Sequence, residues 1–566
     1  MVAETFLPPV RWLREYSTSD LMADLVAGLI LSVLLVPQAM AYATLAGLPP
    51  EIGLYTAILP PIVYACLGTS SCTSVGPVAL PSLLVADAIA GAEMPAGIAA
   101  SIIAVEVGLL LLPLGILRLG RLVNFISDPA LLGFTAAAAV LIALSQIPPL
   151  LGIDAERGGD ALTMVQNIHM AIGEASAMTF AVGAGGLLLL LFSEKFGGAA
   201  LWKLGVRPPI RGALLKSTPL LMLVVSAALV SWFSLDVETV PQPPSGLPKA
   251  GFPPFDVAAW SAMLPSAAII AIVIFVTGTA ISKSLAGRQR KSLNTSQEAI
   301  ALGAAGIASA VTGGYAPGVS FSRSALLHDS GGRSPLASAI GAAIVLLVAL
   351  FFAAPLAYLP KAALAALVIS AVFGLIKPKE MLAIWRHSRT EGGVIALTIM
   401  ATLCMGVQWG LGTGAAAGII AFLWFSSLPR VTRLGETGGD TVHFRSVDRE
   451  GVEVDSMPVL VIRIDRSLYF GNVGHCEDQL LALLSRHPDA ECLLIDMRGV
   501  NEIDASGIAM LQRLVNDVEE KQLRVGFAEL RAPLQEDFDD DRVLCPCPRY
   551  ADVAEGVRKM RESCGV

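Results

Sequence analysis

Charge is what this 566-residue sequence has least of: Asp, Glu, Lys and Arg together make 15% of it, where a soluble globular domain carries roughly 25%. Aromatic residues reach only 6% and histidines number six, against 54% hydrophobic residues and a mean hydropathy of +0.67. That balance excludes a single ordinary soluble enzyme. An excess of basic residues is also missing, since the net charge is −8, which argues against nucleic acid as a partner. The eight cysteines contain no C-x-x-C pair, and Cys545 and Cys547 have no histidines at zinc-site spacing, so no metal is expected and the thiols read as reduced. No Walker motif, dinucleotide fingerprint or nucleophile–base set is present, so neither catalysis nor a cofactor is expected.

The shortage of charge is uneven. Residues 441–566 hold 15 basic and 24 acidic side chains, a density of about 31%, while the first 440 residues fall to about 11%. The chain therefore reads as a membrane body with an acidic soluble tail. The expected boundaries are an interfacial segment at 1–20, a membrane domain at 21–434, a linker and the start of the soluble part at 435–458, and a soluble domain at 459–566. Arg11, Trp12, Arg14 and Glu15 precede the first apolar run, and no cleavage site follows it, so the N-terminus does not read as a removable signal.

Apolar runs of spanning length recur from Leu25 to about Ser427, and their spacing gives fourteen segments, two of them short, in a seven-plus-seven count. Placing the N-terminus in the cytoplasm puts twenty basic residues inside, in groups from Arg11 and Arg14 through Arg121, Arg207 and Lys291 to Arg433. Only Arg157, Lys249 and Lys361 fall outside. This bias predicts a multi-pass protein of the cell membrane with both termini cytoplasmic.

Two polar interruptions occupy the third position of each half: Gly68–Pro77 before Val78–Ala90, and Thr312–Ser324 before a short piece ending near His328. Such paired breaks point to a midplane site between inverted repeats. Non-helical backbone at that depth needs protein or a water-filled cavity to satisfy it. A short helix beginning there aims free N–H groups and partial positive charge at the cavity, which suits an anion.

Arg323 is the basic residue that the topology leaves at membrane depth, directly after Ser320, Phe321 and Ser322. A guanidinium there marks a ligand pathway or an internal ion pair, with Asp329 and Glu298 as the alternative partners. In the first span Pro37 frees a carbonyl, and Gln38 can present an amide to a ligand or to a neighbouring helix. Among acids, Asp87 and Glu93 approach the outer surface and Glu298 opens a helix, which leaves Glu106 as the deep carboxylate available for coupling to a cation.

The stretch VPQAMAYATLAGLPPEIGLYTAILPPIVYACLGTSSCTSVGPVAL (Val36–Leu80), the segment Gly133–Gln146, the SFSRS element at Ser320–Ser324 and the tail together resemble the sulfate permease (SulP) anion transporters. The resemblance implies an all-α membrane domain of two inverted seven-segment repeats, arranged as core and gate and followed by a cytoplasmic α/β STAS domain. It implies alternating access, with the anion held between the third and tenth segments by Gln38, Tyr42, Gly76, Val78, Ser320, Phe321, Ser322 and Arg323. Two departures stand out. Ser71 and Cys72 replace the Arg-His that many members carry, and Thr277 stands where members often carry an acid that couples a proton or sodium ion. A sulfate-like oxyanion is the expected cargo, with bicarbonate, chloride or a dicarboxylate as alternatives, and a homodimer is the expected assembly. A membrane-anchored STAS signalling protein without transport is the alternative of another class.

In the tail, VLVIRI and ECLLIDMRGV alternate with helical stretches, an α/β pattern. Asp504 and Ser506 both suit a helix N-cap, and Ser506 matches the serine phosphorylated in stand-alone STAS regulators.

Overall fold

In the computed structural model the described residues are 12–13, 16–120, 126–155, 159–205, 208–241, 250–290, 292–437, 443–448, 452 and 457–564. Arg11, Arg14, Glu15, Arg121, Arg157, Arg207, Lys249 and Lys291, all used above, lie outside them. The chain divides into two units, Met1–Gly418 and Ile419–Val566.

Among the described residues of the first unit and the helix that follows, nine helices are long and apolar enough to cross a membrane, and Ala79–Ile89 and Leu336–Phe351 are shorter apolar helices. The first, Thr18–Leu45 (α1), opens on a capping box: Ser17 Oγ accepts from the Asp20 N–H at 3.2 Å and Asp20 Oδ2 accepts from the Ser17 N–H at 2.9 Å. Helix Leu59–Leu67 (α2) ends at Gly68, where the chain becomes extended through the two-residue strand Val75–Gly76 (β1) and then forms Ala79–Ile89 (α3) and Ala96–Ile116 (α4). The second half repeats the sequence of events. Val257–Arg288 (α5) and Thr295–Val311 (α6) lead to the strand Gly318–Val319 (β2), then the short helix Phe321–Asp329 (α7) and Leu336–Phe351 (α8).

β1 and β2 pair antiparallel, Val75 opposite Val319 and Gly76 opposite Gly318. This joins the two interruptions and satisfies backbone groups that hydrocarbon would leave unpaired. Small residues set the packing around them. A Cβ on Gly108 of α4 would lie 2.6 Å from the carbonyl of Gly303 on α6, and one on Gly306 would lie 3.0 Å from that of Ala104. Backbone therefore meets backbone along α4 and α6. Helices α1 to α8 pack mainly on one another, while Asp128–Ser145, Ala177–Phe192, Pro208–Phe233, Lys361–Phe373 and Arg389–Met405 form a second group.

The second unit is built on a six-stranded sheet in the order β4-β3-β5-β6-β7-β8. Its strands are Val431–Thr437 (β3), His443–Ser446 (β4), Val459–Ile464 (β5), Cys492–Asp496 (β6), Arg524–Ala528 (β7) and Arg549–Tyr550 (β8). The sheet is parallel from β5 to β8, and β3 runs antiparallel to both β4 and β5. Because β3 already belongs to it, the sheet begins ahead of residue 435. The buried run of β5 and the fully buried β6 are what a parallel sheet covered on both faces requires. Cys476 packs in this core with its thiol pushed up to about 12 by burial, which leaves it unreactive. The expectation of reduced thiols fails at Cys492, which is disulfide-bonded.

Candidate anion site

The site is built where the two interruptions meet. Ser320 is the N-cap of α7, its hydroxyl accepting from the Arg323 N–H at 3.4 Å. The Ser320 N–H donates to the Ser74 carbonyl at 3.1 Å. Across the junction the Ser74 N–H donates to Ser324 Oγ at 2.9 Å. Behind it Tyr315 OH and Ser82 Oγ are hydrogen-bonded at 2.8 Å, which ties the second interruption to α3. Helix α3 has Val78 at its N-cap and no side-chain cap, so its first free N–H groups stay available.

Arg323 is 0% exposed, the largest fully buried side chain in the chain's described part. Its Nε donates to Ser74 Oγ at 3.2 Å and its Nη1 to Gln38 Oε1 at 3.2 Å. Its Nη2 has no partner among the described residues. Among the described residues no carboxylate pairs with it. Glu298, one of the two alternative partners, instead accepts from Tyr64 OH at 2.7 Å, Thr69 N–H at 2.9 Å and Thr69 OH at 2.6 Å, and Asp329 is exposed at the far end of α7. A buried guanidinium held by two neutral oxygens is not neutralised by them and keeps the N–H groups of Nη2 for an anion.

The structure thus brings Gln38, Gly76, Ser320 and Arg323 together, and Tyr42, 5% exposed, lies within electrostatic range of the guanidinium. Val78 is half-buried, while Phe321 and Ser322 are exposed beside the cluster. Gly76 has φ +148°, and a Cβ there would sit 3.6 Å from Arg323 Nη2. Gly76→Ala strains the backbone and fills the space next to the free donor. The expected result is anion binding weakened by at least about tenfold, with a stability loss of about 1–2 kcal/mol, read by isothermal titration and thermal melting.

Other expected residues are not at this site. Glu106 lies on α4 facing α5, and Thr277 donates to the Val273 carbonyl of its own helix at 2.6 Å. In the tail the helix Ala505–Glu519 (α9) is capped by Asp504, whose Oδ1 accepts from the Gly507 N–H at 2.9 Å. Ser506 is therefore inside the first turn rather than at the cap. Desolvation pushes the Asp504 carboxyl up, but donation from Gly507, Phe470 and Ser506 N–H groups outweighs it and holds the group below its ordinary value. Sequence reasoning missed Ser74, Ser324 and Tyr315. Their signal was weak: hydroxyl groups in two loops whose pairing only the fold reveals.

A model of the sulfate permease family matches residues 21–398, and a STAS domain model matches 450–544. The chain belongs to the sulfate permease family. It is a family of transporters rather than enzymes, and its members carry anions. "Sulfate transporter 4.1, chloroplastic" of Arabidopsis thaliana is 32% identical over 544 residues, covering 93% of this chain and 78% of that protein. "Probable sulfate transporter Rv1739c" of Mycobacterium tuberculosis is 31% identical over 547 residues, covering 95% and 94%. Among solved structures, the murine Solute Carrier 26 family member A9 anion transporter in the inward-facing state superposes with a TM-score of 0.87 at 21% identity, covering 98% of this chain and 94% of that one. The transmembrane domain of the cyanobacterial bicarbonate transporter BicA gives 0.59 at 19% identity, covering 71% and 98%.

Proposed function

We propose that this chain is a secondary transporter of small oxyanions, sulfate first among them, working by alternating access. The anion is held between the N-termini of α3 and α7, with Arg323 supplying the charge and Gln38, Tyr42, Gly76, Val78, Ser320, Phe321 and Ser322 shaping the site. The observation that carries the reading is the unpartnered Nη2 of a buried arginine that no described carboxylate neutralises. The cost of burying that charge is several kcal/mol, which a passing anion offsets. The sulfate assignment rests on the names of relatives 31–32% identical to this chain.

Movement is assigned to the group α1–α8 sliding against the second helix group, with the two halves as inverted repeats. The bias of basic residues supports a cell-membrane location with both termini in the cytoplasm, and the homodimer is carried over from the family resemblance alone. Thr277, bonded to its own backbone, cannot carry a proton, so a coupling proton or sodium ion needs a different group. Counterflow of labelled sulfate in proteoliposomes, with bicarbonate, chloride and fumarate as competitors, tests the cargo. Sulfate exchange that an excess of the others does not abolish is the expected outcome. A chain that moves none of these anions but is phosphorylated at Ser506 would be the signalling protein of the competing class.

A further inference from the structure

α4 carries one ionisable residue, Glu106, at its middle. The residue is 4% exposed, and its Oε2 has no hydrogen-bond partner among the described residues. It forms the polar floor of a cavity of about 310 Å³ walled by Leu109, Leu110, Phe255, Trp260 and Leu264. The walls include exposed residues, Phe255 and Leu109 among them, so the crevice opens along the bundle near the beginning of α5. Three other acids of these helices are provided with donors: Glu298 has three, Asp24 accepts from Tyr16, Arg333 and Ser334, and Asp87 accepts from Gln408 at 2.8 Å; Glu51, at the start of helix Pro50–Thr56, also has an Oε2 without a partner among the described residues but is only half-buried. Around Glu106 the crevice offers apolar side chains and one hydroxyl, that of Ser261, which donates to the Ala258 carbonyl of its own helix at 3.0 Å. An ionised carboxylate in such a place loses its hydration without replacement.

We propose that Glu106 is a proton-binding site, loaded through this crevice, whose charge state governs transport by the site around Arg323. This rests on the anion-transport reading. Among the described residues no other titratable side chain lines the crevice. On the helices packed against α4, Asp87 and Glu298 are the bonded acids just described, and Lys283 and Arg288 of α5 lie in its last two turns, at the opposite end from Trp260. Asp256, between Phe255 and Val257 at the mouth, is the N-cap of α5 and accepts from the Ala258 N–H at 3.2 Å.

The link to the anion site is mechanical. On the opposite face of α4 from Glu106, Ala104 and Gly108 meet α6 backbone to backbone, and Ser101 Oγ of the same helix donates to the Gly314 carbonyl in the second interruption at 3.3 Å. The neutral side chain fits the crevice. The charged one draws water into it and spreads α4 from α5, which shifts the element carrying Ser320. In the orientation proposed above, the helices α4 and α5 both begin at the outer face, so outer pH sets the proton.

The test uses the full chain in oriented proteoliposomes, with sulfate as the probe. Uptake by the wild type is expected to rise as outer pH falls, by up to about tenfold per unit, the limit for one proton, and to respond less to inner pH. Glu106→Gln, a mimic of the protonated form, should be fast and flat with pH. In infrared difference spectra the wild type should show a protonated-carboxyl band that titrates with outer pH and is lost in Glu106→Gln. A variant that keeps the wild-type profile, or a wild type lacking that band, overturns the proton site. Absence of sulfate counterflow in the wild type at equal pH would instead overturn the anion-transport reading.

Discussion

Arg323→Ala proteoliposomes are expected to take up no labelled sulfate above empty liposomes, with anion binding weakened by about 100-fold or more, while the protein itself stays folded. The two halves of that expectation have one cause. Breaking a buried ion pair leaves the other charge stranded and costs about 3–5 kcal/mol, but no described carboxylate is stranded here. Ser74 Oγ and Gln38 Oε1 lose a donor, about 1 kcal/mol each, and the relief of a buried guanidinium offsets it. The melting temperature in detergent should therefore hold or rise as transport disappears. Arg323→Lys keeps the charge without the fork that reaches Ser74 and Gln38 together, and should retain a small fraction of the flux. Wild-type flux in the alanine variant would remove Arg323 from the site.

Glu298→Ala should do the opposite, striking the fold before the function. Its carboxylate, 0% exposed, collects donors from Tyr64 OH, Thr69 N–H and Thr69 OH, and so pins the end of α2 and the start of the first interruption to α6. Removing it orphans three donors, two of them on Thr69, which begins the extended segment. A loss of about 3–5 kcal/mol follows, enough to unfold a marginally stable protein. The measurements are elution by size exclusion and thermal melting. Glu298→Gln, which keeps one acceptor oxygen, should fall between. A variant that elutes and melts like the wild type would mean that these bonds are not what holds the segment.

The sequence was most legible where physics is local. Runs of apolar residues marked the spans, and Gly, Pro and hydroxyl residues marked both places where the spans break. Arg323 was legible because a lone basic residue in a charge-poor stretch has to be explained. The choice between ion pair and ligand for it was not legible, because it depended on where Glu298 would point, and Glu298 is committed to residues more than two hundred positions earlier in the chain. Ser74 was invisible for the same reason: one hydroxyl among several in a loop gains its role only when β1 meets β2. The helix cap in the tail turned on competition between two neighbouring residues with similar propensity, and Asp504 took it because its two oxygens reach two separate N–H groups, of Gly507 and Phe470.

The strand pair has a consequence for how the protein is made. Ser74 and Arg323 are 249 residues apart, so when the first interruption enters the bilayer its partner has not yet been synthesised. Until residues 318 and 319 arrive, the amides of Val75 and Gly76 have no strand to bond. The first half must therefore wait at the insertion machinery, or at a water-filled surface, with its extended segment unfinished. The anion site cannot close until the second interruption has been made, and a chain truncated before Gly318 would leave the amides of Val75 and Gly76 without their strand partner.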